Sequence, residues 1–175
     1  MKLSLAILAT LTVAAAVVFA ALHLLDASAS PTKAAKTNPC SPDAVAQFGH
    51  VKSLTRKGDH YELRFDPAWF LSGVTASRAA LEDTGSSDVP NDNYIVEEGH
   101  RLLTYLVPST AHITVLTKSG KPDSRGFPST SITASQLAQL VRGEKPVDLS
   151  ESLESGFWMR YEIDTVCSLE QQYRP

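Results

Sequence analysis

The sequence has no cluster of Lys or Arg, and 16 basic against 19 acidic side chains leave a formal charge of −3. Without a basic stripe there is no electrostatic footprint for a phosphate backbone, so nucleic acid is not an expected partner. Catalytic signatures are also missing. There is no Gly-x-Ser-x-Gly elbow, no His-Glu-x-x-His, no Cys-x-x-Cys and no P-loop, the patterns that mark a nucleophile, a zinc ligand set or a phosphate cradle. His50, His60, His100 and His112 stand at no metal-ligand spacing from one another, which argues against zinc. The expectation leans away from an enzyme.

Cysteine is scarce, with only Cys40 and Cys167 present. Outside the cytosol such a pair oxidises where geometry allows, and the alternative is two free thiols. A bridge would tie the start of the domain to its last strand, and a loop this long stabilises by about 4–5 kcal/mol in the chain-entropy model. No Leu-x-Ala/Gly pattern precedes Cys40, so there is no lipoprotein signature.

The one long apolar run is Leu3 to Leu25, broken only by Ser4, Thr10, Thr12 and His23. As a helix it is long enough to span a bilayer core, which needs roughly 20 residues. Small-residue sites at Ala27-Ser28-Ala29 and Val18-Phe19-Ala20 also suit a signal peptidase. Cleaved signal peptide and membrane anchor both stay open. Either way the remainder is expected outside the cytoplasm, secreted or anchored by residues 3–25. Residues 1–26 are therefore read as leader, 27–45 as a flexible Ala/Ser/Thr/Lys/Pro linker and 46–175 as one β-rich domain.

Within that domain, Val51–Thr55 and Tyr61–Phe65 predict a hairpin around Gly58, with Tyr61, Leu63 and Phe65 facing inward. Asp66-Pro67 predicts the end of the second strand, because proline lacks the ladder donor. Trp69-Phe70 is expected to plug the end of a barrel, and Asp66 to cap the turn. A short helix follows over Ala76–Asp83, then strands at Tyr94–Val96, Leu102–Val107 and His112–Thr117. Lys118–Ser131 reads as a long mobile loop. Thr133-Ala-Ser-Gln136 fits a capping box ahead of the apolar stripe Leu137, Leu140 and Val141. A second flexible segment, Glu144–Gly156, leads to a closing hairpin of Phe157–Ile163 and Val166–Gln171, turning at Asp164-Thr165. Its inward face is expected to hold Phe157, Met159, Tyr161 and Ile163. The fold class expected is α+β: a small antiparallel β-barrel, OB-like, with two short helices, preceded by the N-terminal apolar helix.

The segments Phe65-Asp66-Pro67-Ala68, Phe70-Leu71-Ser72-Gly73-Val74-Thr75-Ala76, Glu82-Asp83, Pro90-Asn91-Asp92-Asn93-Tyr94-Ile95, Trp158 and Gln171-Gln172-Tyr173-Arg174-Pro175 form a recurring order. In it the domain resembles a group of uncharacterised exported bacterial proteins. The resemblance covers most of the chain from Gly49 onward. It implies an exported accessory domain and assigns no catalytic residue.

Two groups of side chains are candidates for binding. Asp88, Asn91, Asp92 and Asn93, with Glu82 and Asp83 nearby, put hard oxygen donors in one loop, the donor type that calcium takes six to eight of. They lack EF-hand register, and Asn and Asp are also ordinary turn residues, so the expectation is no cofactor. Trp158 falls on the polar side of its strand with Arg160 and Glu162. There it suits either a stacking platform for sugar or peptide or a packing role under a loop. Glu62, Glu97 and Glu98 are read as a solvated face. The leading expectation is a non-catalytic cell-envelope domain that binds a protein or glycan. A carboxylate-dependent hydrolase of envelope polymers and a simple spacer are the alternatives.

Overall fold

The structure, a computed structural model, describes residues 40–97, 99 and 101–174. The apolar run 3–25, the linker up to 39, Glu98 and His100 lie outside the described residues. No helix among the described residues is long and apolar enough to cross a membrane.

Among the described residues eight strands and two α-helices follow in the order β1 (Val45–Lys57), β2 (His60–Ser72), α1 (Gly73–Thr84), β3 (Asn93–Glu97), β4 (Leu103–Pro108), β5 (His112–Pro122), β6 (Pro128–Ile132), α2 (Ala134–Val141), β7 (Phe157–Glu162) and β8 (Thr165–Gln171). The domain is mostly β with two helices, as an α+β reading requires. All eight strands belong to one sheet, ordered β3-β2-β1-β7-β8-β5-β6, with β4 attached to β2 and β8. Most pairs are antiparallel, but β8 runs parallel to both β4 and β5, which corrects the all-antiparallel expectation. Strands β1, β2, β4, β8 and β7 follow one another round to β1 again. Between β4 and β8 the link is a single residue pair, Leu106↔Thr165, reinforced by the Leu106 N–H donating to the Asp164 carbonyl at 2.8 Å.

The core lies against the inward face of β2 and β7. Leu63, Phe65, Phe157 and Met159 are fully buried there with Val107, Val166 and Leu169, and α2 packs Leu137 and Leu140 onto the same cluster. Each such side chain removed from water contributes about 1.5–3 kcal/mol. The capping box of α2 is present in full: the Gln136 N–H donates to Thr133 Oγ1 at 3.2 Å and the Thr133 N–H donates to Gln136 Oε1 at 2.9 Å.

Several local expectations are overturned. Asp66-Pro67 does not end β2, which runs on to Ser72. On its outer side β2 pairs β4 as far as Phe65↔Leu103 and β3 from Ala68↔Glu97 onward, so Pro67 falls in a gap where that edge has no partner strand among the described residues. Asp66 caps no turn; its carboxylate pairs with Lys52 at 3.0 Å. Trp69 plugs nothing and is 59% exposed. Lys118–Ser131 is no open loop, because β5 and β6 pair through it with a register shift between Leu116 and Lys121. The closing hairpin turns at Ile163-Asp164, one residue earlier than predicted, since Glu162 pairs Thr165. Ile163 is therefore 96% exposed rather than inward. Its φ of 57° lies in the left-handed region, where a β-branched side chain is strained.

Cys40 and Cys167 form a disulfide with Cα atoms 5.3 Å apart, so the two-thiol alternative falls. Cys40 is buried. Next to it, the Ser41 N–H donates to Glu162 Oε1 at 3.1 Å, and hydrogen bonding to Ser41 holds the Glu162 carboxyl below the usual carboxylate range.

Candidate functional site

Strands β1 and β2 run side by side from Lys57↔His60 to Phe48↔Ala68 and then part. Beyond that pair, and among the described residues, Val45–Gln47 have a strand partner only in β7. Trp69–Ser72 likewise have one only in β3. The sheet thus splits into two diverging arms. A cleft of about 440 Å³ opens between them, with Val45, Ala46 and Gln47 on one wall and Trp69 and Phe70 on the other.

The floor is aromatic. Phe48, at the apex of the split, has its ring centroid 5.2 Å from Phe70 and 5.4 Å from Trp158, and Phe70 lies 6.0 Å from Trp158. These separations suit tilted and edge-to-face pairs, which stabilise beyond their buried area. Gly156 lies directly against the Phe48 ring. A Cβ at Gly156 would collide with the Phe48 ring, and its φ of 87° is one that glycine adopts freely. Tyr161 completes the lining from β7. Behind it the Tyr105 hydroxyl donates to Gln47 Oε1 at 3.4 Å. Burial, aided by the hydrogen bond with Tyr161, pushes the Tyr105 phenol well above its ordinary range, so it remains a neutral donor.

Trp158 belongs to this cleft. It is half-buried, and its indole N–H donates to Gln172 Oε1 at 2.9 Å, which fixes the ring against Phe48 and Phe70. Arg160, two residues along the same face, is half-buried, and its Nε is buried with no hydrogen-bond partner among the described residues. The sequence placed Trp158 and Arg160 on one face. It did not show that Phe48 and Phe70 join them, because that requires the register Trp158↔Phe48↔Ala68 across three strands.

Asp88, Asn91 and Asp92 sit elsewhere, between α1 and β3, and Asn93 is the first residue of β3. Strand β3 is separated from β7 by β2 and β1, three inter-strand spacings or roughly 14 Å, so the two predicted groups do not form one site. Asp88, Asn91 and Asp92 are exposed. Two turn contacts lie here: the Asp88 N–H donates to Ser86 Oγ at 3.2 Å and the Asn93 amide donates to the Asn91 carbonyl at 3.0 Å. Asn91 and Asp92 take φ of 57° and 56°, a region their short polar side chains tolerate. Among the described residues no three His, Cys, Asp or Glu side chains are placed to hold a metal ion. Asp83 accepts from the Tyr94 hydroxyl at 3.1 Å, and Glu97 meets His50 Nε2 at 3.0 Å.

No family model, curated protein or solved structure matches this chain.

Proposed function

We propose that this chain is an extracytoplasmic binding domain, secreted or held at the membrane by residues 3–25, which engages an envelope protein or glycan at the cleft between β1 and β2. The observation that carries the reading is the cleft itself. It joins three mutually packed rings, Phe48, Phe70 and Trp158, to a fourth, Trp69, that stands 59% exposed at the rim. Aromatic surface of this kind is the usual lining of a small recognition site, and an exposed tryptophan beside it supplies rigid contact area. The Cys40–Cys167 disulfide supports an oxidising compartment. The five-strand ring supports an OB-like barrel with a thin seam at β4–β8, a scaffold that binds through its sheet face and loops. The resemblance to exported accessory proteins points the same way. The domain acts by holding a partner, not by turning one over.

The test is site-directed photocrosslinking of the full chain in intact cells. Benzoylphenylalanine replacing Trp69 is expected to give a discrete adduct. The same group replacing Val74, which is 88% exposed on α1 and outside the cleft, gives none. Equal adducts at both positions, or none at Trp69, would overturn the reading.

A further inference from the structure

From the split sheet we infer that the occupant of the cleft is an extended polypeptide segment, which enters as an added strand between the arms of β1 and β2. This rests on the cleft being a binding site and names what it binds. Both walls are strand edges. Val45–Gln47 use one main-chain edge on β7, and Trp69–Ser72 use one on β3. The edges that face each other across the cleft have no strand partner among the described residues. An edge with free N–H and C=O groups is a template for another strand, and here two such edges converge on one space. Stacking alone would suit a sugar as well as a side chain, but a glycan offers no ladder of amides to these edges.

The dimensions agree with a strand. An extended residue in a sheet occupies roughly 3.3 Å along the strand, 4.8 Å across it and 10 Å through it, or about 160 Å³. The cleft of about 440 Å³ therefore takes close to three residues. That equals the length of the Val45–Gln47 arm, beyond the last shared pair at Phe48↔Ala68. Alternation along the inserted strand sends one side chain toward Phe48, Phe70 and Trp158 and its neighbours to the opposite face, where Val45, Gln47 and Trp69 stand. The aromatic floor then reads the central residue, and an apolar or aromatic one fits it.

The experiment presents the full chain to a library of random ten-residue peptides and then N-methylates the selected sequence one amide at a time. Expected are selected peptides that share one apolar or aromatic residue flanked by variable ones. Between the arms successive amides face β1 and β2 in turn, so methylation of any amide inside the cleft raises Kd by about tenfold or more, and methylation of amides outside it by less than about threefold. Trp69→Ala, at an exposed position that does not threaten folding, weakens the same peptides by about tenfold. Failure of the library to enrich, or binding indifferent to N-methylation at every position, would overturn the inference. If Trp69 still crosslinks in cells, or if envelope oligosaccharides bind in a Trp69-dependent way, the binding-domain reading stands without the strand. If crosslinking, peptides and oligosaccharides all fail, both fall.

Discussion

At the scale of single residues, Gln171 holds more of the molecule than its surface-polar chemistry suggests. It is fully buried. Its Oε1 accepts the Leu116 N–H at 2.9 Å, and its Nε2 donates to the Ser152 carbonyl at 2.8 Å and to Ser155 Oγ at 3.2 Å. One amide thus pins the segment before β7 to the middle of β5. Gln171→Leu keeps the volume but strands those groups, so a loss of about 2–4 kcal/mol is expected in urea unfolding. A loss below about 1 kcal/mol would show that water takes over the amide's role. Ile163 predicts the opposite sign. Relief of left-handed strain outweighs the added backbone freedom of glycine, so Ile163→Gly is expected to stabilise by about 0.5–1 kcal/mol in the same assay. These two residues show where sequence reading stops. A buried glutamine and an exposed isoleucine both contradict their hydropathy, and only the positions of distant strands reveal why.

At the scale of elements, the β5–β6 hairpin replaces what composition presents as a loop. Its Gly, Pro, Ser and Asp residues accommodate a register shift and a tight turn. At that turn Asp123 accepts from the Arg125 guanidinium at 2.7 Å and from the amides of Arg125 and Phe127. Burial raises the Asp123 carboxyl, but these donors outweigh it and hold the group below the usual carboxylate range. A depressed folded value stabilises above the unfolded carboxylate pKa, about 3.9, and the contribution disappears as pH falls through the folded value. Melting curves from pH 6 to 2.5 should therefore show wild type above Asp123→Asn at pH 6, with the gap closing only in the acid limb. A constant gap across the range would refute the linkage. Elements with a local cause were legible in the sequence: the Gly58 turn, the capping box on Thr133, and the inward Leu63 and Phe65. The strand continuing past Pro67 was not, because it depends on which neighbour β2 lacks at that point. The cleft was hidden for the same reason, since it exists only where β1 and β2 exchange partners.

At the scale of the whole molecule, the disulfide joins Cys40, just ahead of β1, to β8, which pairs β4, β5 and β7. A reductant should lower the midpoint of urea unfolding by the equivalent of about 4–5 kcal/mol if the chain-entropy account holds. An unchanged midpoint would mean that the bridge does not restrict the unfolded chain as that account requires. The same cross-link has a mechanical consequence. Tension applied between the two ends of the chain runs through the sulfur atoms and bypasses everything between them. With Cys40 and Cys167 separated by 127 positions, a pull from end to end leaves the chain between the two cysteines out of the force path while the bridge is intact, and loads only Ser168–Gln171, the part of β8 beyond Cys167 that pairs β7 and β5. A domain tethered at one end and gripped at the other would yield first in its tails and where Ser168–Gln171 leave β7 and β5. The pull on the C-terminal side meets the cleft at Gln172, whose Oε1 holds the Trp158 indole.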